Sequence, residues 1–145
     1  MKIFILILSF FFTSLNLFAD ELSTIEKAII CVDKRINQGI FLSEITDEKT
    51  FVEQASRQIE FALINLNSKD LLTEDWYNLA LYCLARKYKY YSLALSILKK
   101  EYEIESYHKL RKWIAKRINL LEQKNFIEDG FDIKAELSDL RKSVF

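Results

Sequence analysis

Proline is absent from the 145 residues, and glycine occurs only at Gly39 and Gly130. Strand-rich folds need many tight turns, and those turns draw on glycine, proline and asparagine for their special dihedrals. A chain this poor in both is most readily built from helices joined by short polar connections. Histidine occurs once, at His108, and cysteine twice, at Cys31 and Cys83. No spacing among these three residues matches a metal-ligand pattern, and no glycine-rich phosphate loop, H-E-x-x-H or G-x-S-x-G is present. The sequence therefore points away from an enzyme and implies no metal and no cofactor. His108 stands beside Lys109 in a basic turn and is expected to be exposed. Glu101, Glu103 and Glu105 lie in short mixed-charge runs near lysines and read as a solvated face. Excess charge of one sign is missing too: 21 lysines and arginines face 21 aspartates and glutamates. Such a balance gives no general attraction to nucleic acid, which is not expected as a partner.

The first nineteen residues, MKIFILILSFFFTSLNLFA, differ from the rest. Lys2 is their only charge, Ile3 to Phe12 is apolar apart from Ser9, and Ala19 precedes the acidic pair Asp20-Glu21. A short positive start, an apolar run and a small residue at the end describe a secretory signal peptide, cleaved after Ala19. Leu17, three positions before that cut, is larger than the usual small residue. A retained anchor stays open as the alternative, because Ile3 to Ala19 just reaches the length needed to span a bilayer. On the first reading the product is periplasmic or secreted; on the second it touches a membrane through this segment alone. Neither cysteine lies at the end of the apolar run, which excludes lipidation there. An oxidising compartment permits a Cys31–Cys83 disulfide; two partly buried free thiols are the other reading.

Residues 20–145 read as one helical domain, because no Ser/Gly linker or low-complexity segment divides them. Apolar spacing and capping residues mark six amphipathic helices. The first is expected to start at Ser23, where S-T-I-E has the form of a capping box. It carries Ile25, Ile29, Val32 and Ile36 on one stripe and ends at Gly39. The second runs from about Asp47 to Leu66 on Val52, Ala55, Ile59, Ala62 and Leu66. Thr73 is placed to cap a third helix with Trp76, Leu79, Ala80, Cys83 and Leu84 on one face. A break near Lys87 to Tyr90 leads to a fourth helix on Tyr91, Ala94, Leu95 and Leu98. The fifth, Ser106 to Gln123, carries Leu110, Trp113, Ile114, Ile118 and Leu121. The last follows Gly130 and Asp132 with Ile133, Leu137, Leu140 and Val144. Each helix has one stripe to bury, so the fold class is all-α: antiparallel helical hairpins stacked as a repeat-like array or a small bundle.

One stretch, residues 73–102, resembles a tetratricopeptide repeat. Trp76, Leu79 and Ala80 match the large aromatic, leucine and small residue of that repeat's first helix, and Tyr91 and Ala94 match the aromatic and small residue of its second. Small residues at the crossing let two helices approach closely. Four departures accompany the match. The spacing from Ala80 to Ala94 is two residues longer than in the family, Cys83 replaces a tyrosine, Glu101 replaces a small residue, and the closing proline is missing. The copy is single, and an ordinary helical hairpin explains the same residues. The resemblance implies a protein-binding face and no catalysis.

The run Arg86-Lys87-Tyr88-Lys89-Tyr90-Tyr91 interleaves bases with aromatics at the hairpin turn, as Arg111 and Trp113 do on the fifth helix. Tyrosine and arginine are favoured anchors at protein interfaces. Arg86, Lys87, Tyr88, Tyr90, Tyr91, Arg111 and Trp113 are thus the candidate partner-binding residues, and the expected partner is another protein. The sequence favours an exported interaction module of a bacterial envelope, a scaffold or adaptor; a secreted effector or inhibitor and a membrane-tethered protein are the alternatives.

Overall fold

The structure is a computed structural model that describes residues 2–39 and 47–144, with side chains from Ala19 onward. Six α-helices follow one another: α1 (Lys2–Asn37), α2 (Glu48–Asn65), α3 (Glu74–Lys87), α4 (Tyr91–Ile104), α5 (His108–Leu121) and α6 (Ile133–Val144), with one 3-10 turn at Lys69–Leu71. There is no strand among the described residues, and the all-α class is as the composition requires. The apolar run Ile3 to Phe12 lies outside the described side chains.

Local sequence accounts for most of the boundaries. Gly39 adopts φ 77°, and its N–H donates to the carbonyl of Ile36 at 2.9 Å, which closes α1 where glycine was expected to do so. Asp47 caps α2, its carboxylate accepting the Thr50 N–H at 2.8 Å. That bond to a backbone donor is the first cause of its lowered pKa. Thr73 occupies the N-cap position of α3 without a side-chain bond, so the acids Glu74 and Asp75 are left to complement the helix N-terminus. The start of the first helix differs from expectation. Ser23 lies inside α1, and its Oγ donates to the carbonyl of Ala19 at 3.2 Å, one turn back, instead of capping a new helix. Nothing before Ser23 breaks a helix, so the capping-box pattern has no terminus to cap.

The break between α3 and α4 falls at Tyr88 to Tyr90, and its cause is specific. Lys89 sits in the left-handed region at φ 67°; its N–H donates to Arg86 O at 3.2 Å, while the Tyr90 N–H reaches back to Ala85 O at 2.8 Å. These paired bonds form a Schellman closure, usually built on glycine and here on a lysine. The end of α2 repeats the device on Asn67, at φ 52°.

Each helix buries most of the stripe its spacing announces; in α2 the buried face is shifted towards Phe51 and Leu63, so that Val52 is half-buried and Leu66, at the C-cap, is exposed. α1 contributes Leu22, Ile25, Ala28, Ile29, Val32 and Ile36; α2 contributes Phe51, Ala55, Ile59, Ala62 and Leu63. Tyr82, Cys83, Leu84, Ala94, Trp113, Ile114, Leu137 and Leu140 join them in one apolar cluster. Ala80 and Ala94, the small residues of the hairpin, are 1% and 0% exposed. Successive helices pack on one another, and α6 returns to α1 and α3. An ion pair between Arg141 and Glu26, at 2.5 Å, ties α6 to α1. The helices thus close into a bundle, and among the described residues none is long and apolar enough to cross a membrane.

Candidate functional site

Asp75, Asn78, Leu79 and Tyr82 recur at helical spacing along one face of α3. Ile97, Leu98 and Glu101 do the same along α4, followed by Glu105 at its C-cap. Between these two faces and Leu110, Trp113 and Ile114 of α5 lies a cavity of about 240 Å³, with Glu21 of α1 and Leu140 of α6 also on its wall. Its walls are mostly apolar, and every charged residue that lines it is acidic: Glu21, Asp75, Glu101 and Glu105.

Three of these carboxylates are held by neutral donors. The Trp76 indole donates to Glu21 at 2.8 Å, and Asn78 Nδ2 donates to Glu101 at 2.5 Å. Glu105 accepts the Tyr107 N–H at 2.9 Å. No lysine or arginine pairs with any of the four among the described residues. Glu101 is 9% exposed, which corrects the reading of its run as a solvated face. Burial, opposed by the Asn78 bond and reinforced by the charge of Asp75, a hydrogen bond to it and the charge of Glu105, pushes its pKa up to about 7. The signal was present in the sequence: Ala94, Leu98 and Glu101 share one helical stripe, and an acid on a buried stripe is informative.

A second charged cluster lies against the same helix and is neutralised internally. Arg86 is 6% exposed and grips Glu128 through Nε and Nη2, both at 2.9 Å. Its Nη1 donates to Glu136 at 2.6 Å and to the Tyr82 hydroxyl at 2.7 Å, and the guanidinium rests 4.6 Å from the Phe131 ring centroid. Arg117 adds a bond to Glu136 at 2.8 Å and another to Asp139 at 2.5 Å. Burial opposes the Arg86 charge, yet the bonds to Glu128 and Tyr82 and the Glu136 charge hold its pKa above the ordinary value. Burial and the neighbouring Glu136 likewise push the Tyr82 phenol well up.

This geometry reassigns most of the residues expected to face a partner. Arg86 is an internal clamp, because its position one turn after Tyr82 aims it at α6. Lys87 pairs with Asp33 of α1, and the Tyr88 hydroxyl donates to the same carboxylate at 2.6 Å. Burial and the Asp33 charge raise the Tyr88 pKa. Tyr90 stacks on Phe51 of α2 at 4.5 Å, and Tyr91 meets Phe126 edge-on at 5.1 Å. The buried Tyr91 hydroxyl has no hydrogen-bond partner among the described residues. Arg111 binds the carbonyls of Tyr102 and Glu105 at 3.0 and 2.9 Å, satisfying the end of α4. Trp113, 3% exposed, stays in the site as a wall of the cavity while its indole donates to Asp139 at 3.0 Å. His108 is exposed, as expected.

The cysteines are free and face opposite ways: Cys31 is exposed, and Cys83 is fully buried. The expected alternative of a bridge is not realised, because the α1 stripe turns Cys31 away from the core. Burial pushes the Cys83 thiol well up, which leaves it a small apolar filler. Among the described residues no three histidine, cysteine or acidic groups converge to hold a metal ion.

The fold and site define an all-α small bundle with an acid-walled cavity. No protein-family model, curated protein or solved structure matches the chain.

Proposed function

We propose that this chain is an exported helical module that binds another protein through the cavity between α3, α4 and α5, as a scaffold or adaptor of a bacterial envelope and without catalysis. The single observation that carries the reading is that cavity, whose apolar walls combine with carboxylates that no basic side chain among the described residues neutralises. A cavity of about 240 Å³ lies below the ~300–1,000 Å³ usual for small-molecule sites and suits one inserted side chain. The hairpin resemblance of residues 73–102 supports the same reading, because Trp76 and Leu79 lie on this wall.

Export rests on the leader. Cleavage after Ala19 removes none of the described core positions of α1, which begin at Leu22. It also leaves Asp20 and Glu21 at the new helix start, where acids are favourable. Two measurements test the proposal. Mass spectrometry of the protein from the periplasmic fraction is expected to give a chain beginning at Asp20; an intact Met1 chain in membranes would replace export by tethering. A photo-crosslinking residue at Leu79 or Leu110 is expected to yield a discrete adduct with another protein that the same residue at exposed Lys142 does not. Identical products from all three positions would sink the docking reading.

A further inference from the structure

From the uncompensated acids on the cavity wall, we infer that the occupant is a lysine or arginine side chain projecting from a segment of the partner protein, its methylene stem between the apolar walls and its charged head among Glu21, Asp75, Glu101 and Glu105. The inference rests on the docking reading above and names the chemistry of its partner.

Charge complementarity is the first argument. Among the described residues the chain pairs its other buried and half-buried acids with cations: Glu136 with Arg86 and Arg117, Glu128 with Arg86, Asp33 with Lys87, and Glu26 with Arg141. Around the cavity the described residues supply only neutral donors to these acids. A carboxylate has about four lone-pair sites, and one neutral bond each to Glu21, Glu101 and Glu105 does not fill them, so acceptor capacity remains for an incoming N–H. The second argument is shape and polarity. Leu79, Ile97, Leu110 and Ile114 offer hydrocarbon to the stem of a long cationic side chain, which carries its charge at the tip. A metal ion is the wrong occupant, because the acids do not converge on one point among the described residues. An acidic or phosphorylated segment is excluded by like charge.

The test uses the full chain, immobilised, and four pools of synthetic nine-residue peptides. The pools differ only at the centre (lysine, arginine, norleucine or glutamate), with randomised flanks. Retention of the lysine or arginine pool is expected to exceed the norleucine pool by about tenfold, the scale of a close charge pair across an interface. The double variant Asp75→Asn with Glu101→Gln is expected to abolish that preference, whereas Glu122→Gln, which alters an exposed acid outside the cavity, leaves it intact. Asp75 is exposed, and Glu101→Gln keeps an acceptor for Asn78, so the variant is expected to fold. Equal retention of norleucine and lysine pools overturns this inference and leaves the docking reading standing. Retention of no pool removes both. An undiminished lysine preference in the double variant overturns the assignment to these acids.

Discussion

Glu101 and Glu136 are almost equally withdrawn from solvent, at 9% and 7% exposure, and both lie against α3. Their surroundings are opposite. Glu136 accepts from two arginines and a tyrosine, so its charge is matched several times over. Glu101 has one neutral amide donor and the charges of Asp75 and Glu105 nearby. The first arrangement is what a fold does with a buried acid when the purpose is to hold helices together. The second leaves an electrostatic cost inside the native state, which a fold tolerates where something else is to arrive.

The contrast is open to direct attack. The largest effect is expected from Glu136→Gln, which strands Arg86 and Arg117 beside a neutral group. Urea unfolding is expected to show a loss of about 3 kcal/mol, the scale of breaking a buried ion pair from one side. A loss within error would place Glu136 in the same class as Glu101. Next comes Tyr90→Ala, which extends the comparison to the hairpin turn. If the turn is an internal fastening, removing the ring stacked on Phe51 costs about 2 kcal/mol of stability. An unchanged unfolding midpoint would return that tyrosine to the list of partner contacts.

Glu101→Gln has the opposite sign and a pH signature. The folded-state pKa of about 7 lies above the ordinary 4.5, so the folded chain binds this proton more tightly than the unfolded chain does. Ionising Glu101 therefore destabilises the fold above pH 7, and the penalty disappears as pH falls through 7 towards 4.5. The variant is expected to be more stable than the parent at pH 8, by on the order of 1 kcal/mol after solvent screening. At pH 4.5 the two melting temperatures are expected to coincide. A gain that persists unchanged at low pH would show that charge is not its origin. The smallest effect is expected from Lys89→Gly, which touches neither acid and relieves only the left-handed backbone. A gain of about 0.5–1 kcal/mol in urea unfolding calibrates what geometry alone contributes at the same hairpin.

Much of the fold was legible in the residues because helical periodicity is a local signal. The stripes of α2 through α6, the stop at Gly39 and the break at Lys87 to Tyr90 all depend on neighbours within a turn or two. What was not legible depends on distance. Arg86 reads as a surface base until Glu128 and Glu136, 42 and 50 residues on, arrive beside it. Glu101 shares the stripe of Ala94 and Leu98, but its own segment is rich in charge, and only the walls of α3 and α5 decide that the stripe is buried this far along. The capping box at Ser23 marks no terminus for the converse reason: a helix already runs through it and has priority over the local motif. The candidate site was thus the least legible part, since a cavity belongs to three helices and to no single stretch of sequence.

The clamp between Arg141 and Glu26 spans 115 positions of the chain and joins α6 to α1. A ribosome makes residues in order, so α1 emerges long before its fastening exists. Until α6 has been made, α1 is held by its earlier partners, Asp33 to Lys87 and Glu21 to Trp76, and only its seam with α6 stays open. Completion of the bundle is therefore left to the last helix synthesised, which closes the one seam that the earlier five cannot.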